Sequence, residues 1–458
     1  MDFVRRHKID LFIFALALIA RLVLFGINLH AQNGDLISTI HGDDGYYELS
    51  RSLVAGHGFT GASAPPYIPN ALRTPGYIVL LAGLLWLTKS YWVTILVQIV
   101  IGAFIPILGR RIALKLFPDA RIGLWVGILM ALEPYLVLFS SIFYTETVFI
   151  FLFLLFVLAT LSYLEKGSYR QLVFSAVLLG FATLTKTTTQ YLPLIIIPLF
   201  FFRFRKELKL KDNLLRAAVF LSLYFIVISP WLYRNVETFG VIGLSAQPAY
   251  NLYVYMVPSV LSLENGTSFP DELNKFTTEG ESSGNVITLT NSSVYTKKAL
   301  AILAAHPKGV LISAGITVVT FFTHDGMLTV LQHAGYVPRQ YLSKPALTLL
   351  MSSPLQFLNV TAGYIESPFI LVLLFRIFWI GITLFLFIGL VAYTRKNTSK
   401  EITWLVLLLI LYFVTTSIVG GLGVNARYRM PIDPLIFAFA IYGFLLMRNA
   451  ILRERKAQ

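Results

Sequence analysis

The chain has 458 residues, of which 56% are apolar and 13% charged, and its mean hydropathy is +0.72. Soluble domains are about 45–50% apolar and about 25% charged, so an ordinary water-soluble protein is excluded. The net charge of +14 is carried mostly in short clusters between apolar segments, which indicates a membrane-topology signal and not nucleic-acid binding. The absence of cysteine excludes disulfides, thiolate metal sites and cysteine nucleophiles.

The first apolar segment predicts a retained membrane span. The basic stretch 1–8 precedes an apolar run over 9–29 without a clear cleavage site, and about 20 apolar residues are enough to cross a bilayer. The next apolar run, 76–87, is too short to span. We assign it to a first extracytoplasmic loop over 30–90, as a juxtamembrane or re-entrant helix.

Basic clusters predict the topology of the remaining chain. The positive-inside rule assigns them to the cytoplasm, so an even number of crossings separates each consecutive pair. This parity gives ten or twelve spans with both termini cytoplasmic. The segments 308–324 and 345–362 either cross as a hairpin or lie along the outer surface. The basic clusters are Arg5/Arg6/Lys8, Arg110/Arg111/Lys115/Arg121, Lys166/Arg170, Arg203 to Arg216, Arg395/Lys396/Lys400 and Arg448 to Lys456. The other spans are predicted near 91–108, 122–140, 147–164, 171–185, 190–202, 217–233, 368–392, 402–419 and 430–447.

The expected fold is an all-α integral membrane protein, a polytopic helix bundle of about 10–12 spans in the cell membrane. Residues 1–458 form one membrane domain. Its long first outer loop contains short juxtamembrane helices, and a later outer segment covers 234–367, part of which is a candidate membrane hairpin.

Acidic residues near the predicted outer face are the first candidates for chemistry. Asp43 and Asp44 lie side by side in HGDDGYY, and repulsion between adjacent carboxylates favours a raised pKa suited to a general base. Capping of the helix that begins near Tyr46 is the alternative. Glu146 precedes an apolar run, where a helix dipole or a functional role accounts for it equally well. Glu133 in ALEPY is a weaker candidate with a structural explanation.

Basic residues also fall on the predicted outer face, where the positive-inside rule disfavours them. Lys186 in GFATLTK suggests an anionic neighbour, with snorkelling as the alternative. Arginine binds phosphate oxygens through two parallel hydrogen bonds, although pairing with Asp433 or a lipid headgroup explains any single one. Together the cations and carboxylates predict a phosphate-bearing ligand beside an acid or base. The arginines are Arg73 in LRTPGY, Arg234 in PWLYRN, and Arg427 and Arg429 in NARYRMPIDP.

Aromatic residues make up 14% of the chain. Tyr46 and Tyr47 in the first outer loop, and Tyr144 in SSIFYTE, are candidates for contacts with the acceptor or a sugar. An aromatic belt at the membrane interface is the alternative.

In their order, these motifs resemble the GT-C superfamily of polyprenyl-phosphate-sugar-dependent glycosyltransferases, in particular the bacterial and archaeal relatives of protein O-mannosyltransferase and of the lipid A aminoarabinose transferase. The resemblance extends from about residue 40 to residue 440. It is carried by DDGYYELSRSLVAGHGF, LRTPGY, SSIFYTE, GFATLTK, PWLYRNVETFG and ARYRMPIDPL.

The resemblance implies an inverting transfer of a hexosyl or pentosyl group from a polyprenyl phosphate to an acceptor hydroxyl outside the cell. It implies that Asp43 is the catalytic base, with Asp44 beside it, and that Glu146 is a second acidic site residue. Lys186 and the arginines of the PW..RN and R.R.P segments would bind the donor phosphate. Tyr46 stands where the aminoarabinose transferases carry an arginine, and Arg73-Thr74-Pro75 replaces their Lys-Pro, so the lipid A acceptor is not carried over.

The expected partners are the polyprenyl-phosphate-linked sugar, membrane lipids, and an acceptor that is a lipid, a glycan or a protein of the cell envelope. No cofactor is required by the sequence. A divalent metal held by Asp43, Asp44 and Glu146 is an option because hard cations prefer oxygen ligands, but no spacing demands it. A flippase or transporter of lipid-linked sugars is the main alternative function, and an assembly subunit is a second one.

Overall fold

The structure is a computed structural model and describes residues 8–42, 44–282, 287–337, 353–365, 367–396, 400–423 and 425–457. These residues form helices and connecting segments, and no β-strand occurs among them. The helices in chain order are α1 Lys8–Ala31, α2 Leu36–Ile40, α3 Tyr46–Val54, α4 Pro75–Thr88, α5 Tyr91–Leu116, α6 Ala120–Leu132, α7 Pro134–Phe139, α8 Glu146–Lys166, α9 Tyr169–Thr185, α10 Pro193–Phe204, α11 Leu210–Phe239, α12 Gln247–Tyr250, α13 Val257–Asn265, α14 Phe269–Ser282, α15 Ser292–Ala305, α16 Pro307–Thr323, α17 Met327–His333, α18 Pro354–Ile365, α19 Ile370–Lys396, α20 Lys400–Val419, α21 Asn425–Arg429 and α22 Asp433–Ala457.

The protein is an all-α multi-pass membrane protein, as the sequence predicts. In the described part of the chain, seven helices are long and apolar enough to cross a membrane by themselves. Four shorter apolar helices, α4, α6, α9 and α10, accompany them. The seven are α1, α5, α8, α11, α19, α20 and the helical stretch Ala426–Glu454.

One end of the bundle gathers the basic clusters. The start of α1 meets the end of α5 where Arg110 donates to Asp10 over 2.8 Å. The end of α5 meets the end of α8 where Lys115 lies 2.6 Å from Glu165. The start of α11 joins them through Arg216, which donates to the Gly167 carbonyl over 2.7 Å. Three clusters that the sequence assigns to the cytoplasm therefore meet at one end, which we call the basic end.

Helices α8 and α9 connect the basic end to the opposite end. Helix α8 has 21 residues, a length of about 31 Å at 1.5 Å per residue, which matches a hydrocarbon core of about 30 Å. It begins at Glu146, and α9 returns to Lys186, whose Nζ lies 2.8 Å from the Glu146 carboxylate. Helix α9 thus spans the bundle with only 17 residues.

The predicted span over 122–140 is two helices and not one. Helix α6 ends at Leu132, and Glu133 adopts an extended conformation with φ −61° and ψ 114° before Pro134. Proline disfavours a helical residue before it and has no N–H to donate. The Glu133 side chain instead caps α7 by accepting from the Leu136 amide over 2.6 Å.

The apolar segment predicted over 308–324 forms helix α16, the second arm of a helix pair bent by 99°. The pair is bent at His306, which lies beside Glu264 of α13. Helix α16 ends beside the buried Arg429, and α17 then leads the chain back to Gly335, which contacts Ala31 at the end of α1. By length and composition the bent pair is either one broken span or a re-entrant loop. Residues 345–352 of the other predicted segment lie outside the described residues, and α18 covers Pro354–Ile365.

A second small core is built from the helices that follow α11. Helices α12 to α15 and a π-helix over Asn251–Met256 pack their apolar residues against one another and against Ala71, which lies between α3 and α4. The Ala246 amide donates to the Ala71 carbonyl over 2.9 Å. This contact fixes the segment after α11 against the segment between α3 and α4.

Candidate active site

Arg427 joins two carboxylates that come from distant parts of the chain. Its Nη2 donates to Oδ2 of Asp44 over 2.6 Å, and its Nε donates to Oε1 of Glu146. The guanidinium also lies over the ring of Tyr144, 4.5 Å from its centroid. A cation so placed holds α21 against the segment just before α3 and against the start of α8.

Lys186 approaches the same Glu146 oxygen from the end of α9. Its Nζ lies 2.8 Å from Oε1 of Glu146, a residue with only 1% of its side chain exposed. The ammonium group also lies 5.7 Å from the Phe149 ring and 5.3 Å from the Tyr428 ring, within the range of cation–π contacts. Burial lowers the pKa of Lys186, and Glu146 partly offsets that effect.

Arg73 holds Asp44 from the other side. Its Nη2 donates to Oδ1 of Asp44 over 2.9 Å, and its Nε donates to the Asp44 carbonyl over 3.0 Å. Burial alone would raise the pKa of Asp44, but Arg427 and Arg73 together hold it well below its usual value. A carboxylate stabilised in this way is a weak base, because an efficient general base has a pKa near the working pH.

These five residues form what we call the charged cluster: Asp44, Arg73, Glu146, Lys186 and Arg427. With its acids and bases ionised, this set carries three positive and two negative charges, an excess of one positive charge. The cluster faces a cavity of about 350 Å³. Its lining residues are Asp44, Tyr46, Leu72, Arg73, Thr74, Thr145, Thr185, Lys186, Thr187, Thr188, Gln190, Tyr191, Gln247, Pro248, Asn251, Tyr255, Tyr412, Thr415, Thr416, Val419, Gly420, Arg427 and Tyr428.

Asp43, which the resemblance makes the catalytic base, lies outside the described residues. Its role stays a prediction. Its neighbours Gly42 and Asp44 are described, and Asp44 belongs to the cavity wall.

The predicted tyrosines divide between the cavity and the packed interior. Tyr46 lines the cavity, and Arg73 lies over its ring at 5.2 Å. Tyr47 is not among the lining residues and packs against His41 and Tyr91. Tyr144 contacts the cavity residue Arg427 through its ring.

Arg234 lies apart from the charged cluster. It donates to the Asn70 carbonyl over 3.3 Å and to Asn235 over 2.8 Å. Its guanidinium packs against three aromatic rings, with Trp231 nearest at 4.7 Å. Arg234 is not among the residues that line the cavity, so its contacts support a packing role at the end of α11.

Arg429 is also away from the cavity, although only one residue separates it from Arg427. It is fully buried, donates to Asp433 over 3.0 Å and to the His324 carbonyl over 2.6 Å. Its guanidinium lies 3.3 Å from the ring centroid of Trp379. Arg429 therefore ties α21 to α16, α19 and α22, and it fixes the short helix that carries Arg427.

Residues that the sequence reasoning missed form the other side of the cavity, which we call the neutral wall: Gln247, Asn251, Tyr255 and Tyr428. Gln247 accepts from Arg73 over 3.0 Å and donates to Asn251 over 2.7 Å, and Asn251 donates to the Tyr428 hydroxyl over 3.3 Å. A signal was present, because polar residues recur every four positions at 247, 251 and 255 in QPAYNLYVY.

Asp43, one of the three predicted metal ligands, lies outside the described residues, so the metal stays a prediction, and only the described residues can be compared with it. They contain no group of three or more His, Cys, Asp or Glu side chains placed to share an ion. The oxygens of Asp44 and Oε1 of Glu146 are already bonded to Arg73, Arg427 and Lys186. A metal would have to displace these cations, so we derive no catalytic step through one.

Part of the chain matches a known protein family. Residues 73–233 match the family model described as dolichyl-phosphate-mannose-protein mannosyltransferase, which is less than half of the chain. The matched range includes Arg73, Glu146 and Lys186 of the charged cluster. No curated protein matches the sequence.

Solved structures share the fold at low sequence identity. The archaeal oligosaccharyltransferase AglB from Archaeoglobus fulgidus, in complex with an inhibitory peptide and a dolichol-phosphate, is 11% identical with a TM-score of 0.51, and the match covers 97% of this chain. The chain spans 51% of the length of that protein. ArnT from Cupriavidus metallidurans, solved in the apo state and bound to undecaprenyl phosphate, is 15% identical over 94% of this chain and 76% of that one, with a TM-score of 0.39.

The chain is thus a multi-pass membrane protein that shares its fold with the archaeal oligosaccharyltransferase and matches the mannosyltransferase family model over residues 73–233.

Proposed function

We propose that the protein is a glycosyltransferase that moves a hexosyl or pentosyl group from a polyprenyl-phosphate donor to an acceptor hydroxyl on the non-cytoplasmic side of the membrane. The observation that carries this proposal is the convergence of Arg73, Lys186 and Arg427 on one cavity. The dolichol-phosphate in the complex of the archaeal oligosaccharyltransferase and the family described as dolichyl-phosphate-mannose-protein mannosyltransferase agree with such a donor.

The charge of the cluster suits that donor. A glycosyl phosphodiester carries one negative charge, and the charged cluster has one positive charge in excess. The phosphate leaves as a monoester with a second negative charge, which the same cations stabilise. Fixed cations aimed at a charge that grows in the transition state are an effective form of catalysis.

The reaction we propose is a single displacement. The acceptor oxygen bonds to the anomeric carbon while the bond from that carbon to the phosphate oxygen breaks, and the phosphate keeps the bonding electrons. The acceptor proton passes to a carboxylate of the first outer loop, which we assign to Asp43 from the resemblance. One displacement inverts the anomeric configuration.

Asp44 has a different role in this proposal. Both of its carboxylate oxygens are held by arginines, at 2.9 Å from Arg73 and 2.6 Å from Arg427. Because its pKa is held low, Asp44 is better suited to position the two arginines than to accept a proton. Glu146 positions Arg427 and Lys186 in the same way.

The side of the membrane follows from charge. Clusters rich in Lys and Arg favour the cytoplasm, and three such clusters meet at the basic end. The cavity lies at the other end of α8 and α9. We therefore assign the cavity to the non-cytoplasmic face, with both termini in the cytoplasm.

A transfer assay in sealed vesicles tests the proposal. The purified chain is reconstituted with a dolichyl- or undecaprenyl-phosphate donor carrying a radiolabelled sugar, and a membrane extract supplies the acceptor. We expect covalently bound label and release of the polyprenyl phosphate, in the presence or absence of a chelator. Movement of intact donor between leaflets without any covalent product would contradict the proposal and support a transporter of lipid-linked sugars.

A further inference from the structure

The charged side chains that line the cavity belong to one cluster, and a group of uncharged polar residues lies beside it. Among the described residues that line it, the charged side chains are Asp44, Arg73, Lys186 and Arg427. All four belong to the charged cluster and bond to one another or to Glu146. The neutral wall faces the cavity with amides and hydroxyls only.

The neutral wall adjoins the place proposed for the phosphate. Arg73 donates through Nη2 to Asp44 and through Nη1 to Oε1 of Gln247, the latter over 3.0 Å. A glycosyl phosphate joins its sugar directly to a phosphate oxygen, so the ring lies within one bond of the group that the cations bind. The surface next to Arg73 is therefore within reach of the sugar.

The wall is held in place by its backbone. Ser259 accepts from the Leu422 amide over 3.1 Å and donates to the Tyr255 carbonyl over 2.7 Å. Gly421, at φ +70°, passes so close that a Cβ there would lie 2.8 Å from that carbonyl oxygen. Only glycine combines this left-handed conformation with such an approach at low cost. The wall is thus fixed against the segment that leads to Arg427.

We infer that Gln247, Asn251, Tyr255 and Tyr428 bind the hydroxyl groups of the transferred sugar, and that this sugar is an uncharged monosaccharide. The inference rests on the proposed glycosyl transfer and names its substrate class. Among the described lining residues every charged side chain is already paired within the charged cluster, so an amino sugar or a uronic acid would bring a charge against amides and hydroxyls that do not neutralise it, which is costly. The cavity of about 350 Å³ is near the small end of ligand sites, which hold roughly 300–1,000 Å³, so one sugar suits it better than an oligosaccharide.

The experiment compares four lipids of the same chain length on the reconstituted full-length protein: bare dolichyl phosphate and its mannosyl, aminoarabinosyl and glucuronosyl derivatives. Affinity is measured by competition against labelled dolichyl phosphate. We expect the mannosyl lipid to bind at least about 10-fold more tightly than bare dolichyl phosphate. We expect the aminoarabinosyl and glucuronosyl lipids to bind no more tightly than bare dolichyl phosphate.

Two wall variants, Asn251→Ala and Tyr255→Phe, extend the test. Each should reduce the advantage of the mannosyl lipid by about 3- to 10-fold, the effect of a lost neutral hydrogen bond, and leave the affinity for bare dolichyl phosphate unchanged. The unchanged affinity also shows that the variants fold. Tyr233→Phe, at a tyrosine that is 67% exposed and does not line the cavity, is the matched control.

The outcomes separate this inference from the function on which it rests. Preference for a charged-sugar lipid, or wall variants that bind the mannosyl lipid as the unaltered protein does, would overturn the inference alone. If bare dolichyl phosphate does not bind the unaltered protein, the proposed function fails and the inference fails with it.

Discussion

Nη2 of Arg427 lies 2.6 Å from Oδ2 of Asp44, although 383 positions separate them in the sequence. The pair joins the first outer loop to the segment before the last helix. Because Arg73 shares the same carboxylate, Asp44 sets the distance between two arginines on opposite sides of it.

The cations of the charged cluster should control affinity for the donor. We expect Arg427→Gln and Lys186→Gln each to raise the KM for the donor by about 10- to 100-fold, since hydrogen bonds to charged groups contribute about 1.5–3 kcal/mol. Arg234→Gln is the matched control, because Arg234 does not line the cavity, and it should change KM by less than about 3-fold. Initial rates over a range of donor concentrations give the donor KM of each variant. Equal effects at Arg234 and Arg427 would contradict the assignment.

The two adjacent aspartates should have separable roles. Asp43→Asn should lower kcat by about 100- to 10,000-fold, the usual contribution of a general base, with little change in the donor KM. Asp44→Asn should mainly raise the donor KM, because Arg73 and Arg427 would lose their shared carboxylate. The opposite pattern, with kcat lost at Asp44 and retained at Asp43, would reverse the assignment.

Donor binding should weaken at alkaline pH through Lys186. Burial lowers its pKa, so its positive charge is present below that pKa and is lost as the pH rises through it, before the usual value of about 10.4 is reached. We expect the donor KM to increase over this range. Lys186→Arg should shift the increase to higher pH, because arginine stays charged up to about pH 12. An identical pH profile for the two proteins would exclude Lys186 as the titrating group.

Arg429 should matter for folding more than for contact with the donor. Breaking a buried ion pair by removing one partner costs about 3–5 kcal/mol, and Arg429 and Asp433 are both fully buried. The variant Arg429→Met should therefore have a clearly lower melting temperature in detergent than the unaltered protein. Arg429→Met combined with Asp433→Leu should recover part of the loss, because no buried charge is left unpaired. A double variant less stable than the sum of its parts would contradict this account.

The sequence alone was sufficient to predict the fold class and to predict that polar residues from distant segments meet at one end of the bundle. Periodic apolar runs and basic clusters predict a helical membrane protein, and Asp44, Arg73, Lys186 and Arg427 do line one cavity. These features depend on composition and position along the chain, which a single sequence records directly.

Other features depend on tertiary contacts that no local pattern records. Arg427 and Arg429 are equivalent in the string NARYRMPIDP, yet one faces the cavity and the other binds Asp433 and the end of α16. The neutral wall exists only because α12 and the π-helix pack against Arg73. The 99° bend between α15 and α16 is a further tertiary feature, since the apolar composition of α16 matches that of a span.

The most direct test of the account is binding of dolichyl phosphate to the purified protein by native mass spectrometry. We predict that the unaltered protein and Arg234→Gln retain the lipid, and that Arg427→Gln and Lys186→Gln lose at least about nine-tenths of it at the same lipid concentration. Retention of the lipid by the Arg427 and Lys186 variants at the level of the unaltered protein would contradict the claim that this cluster binds a polyprenyl phosphate.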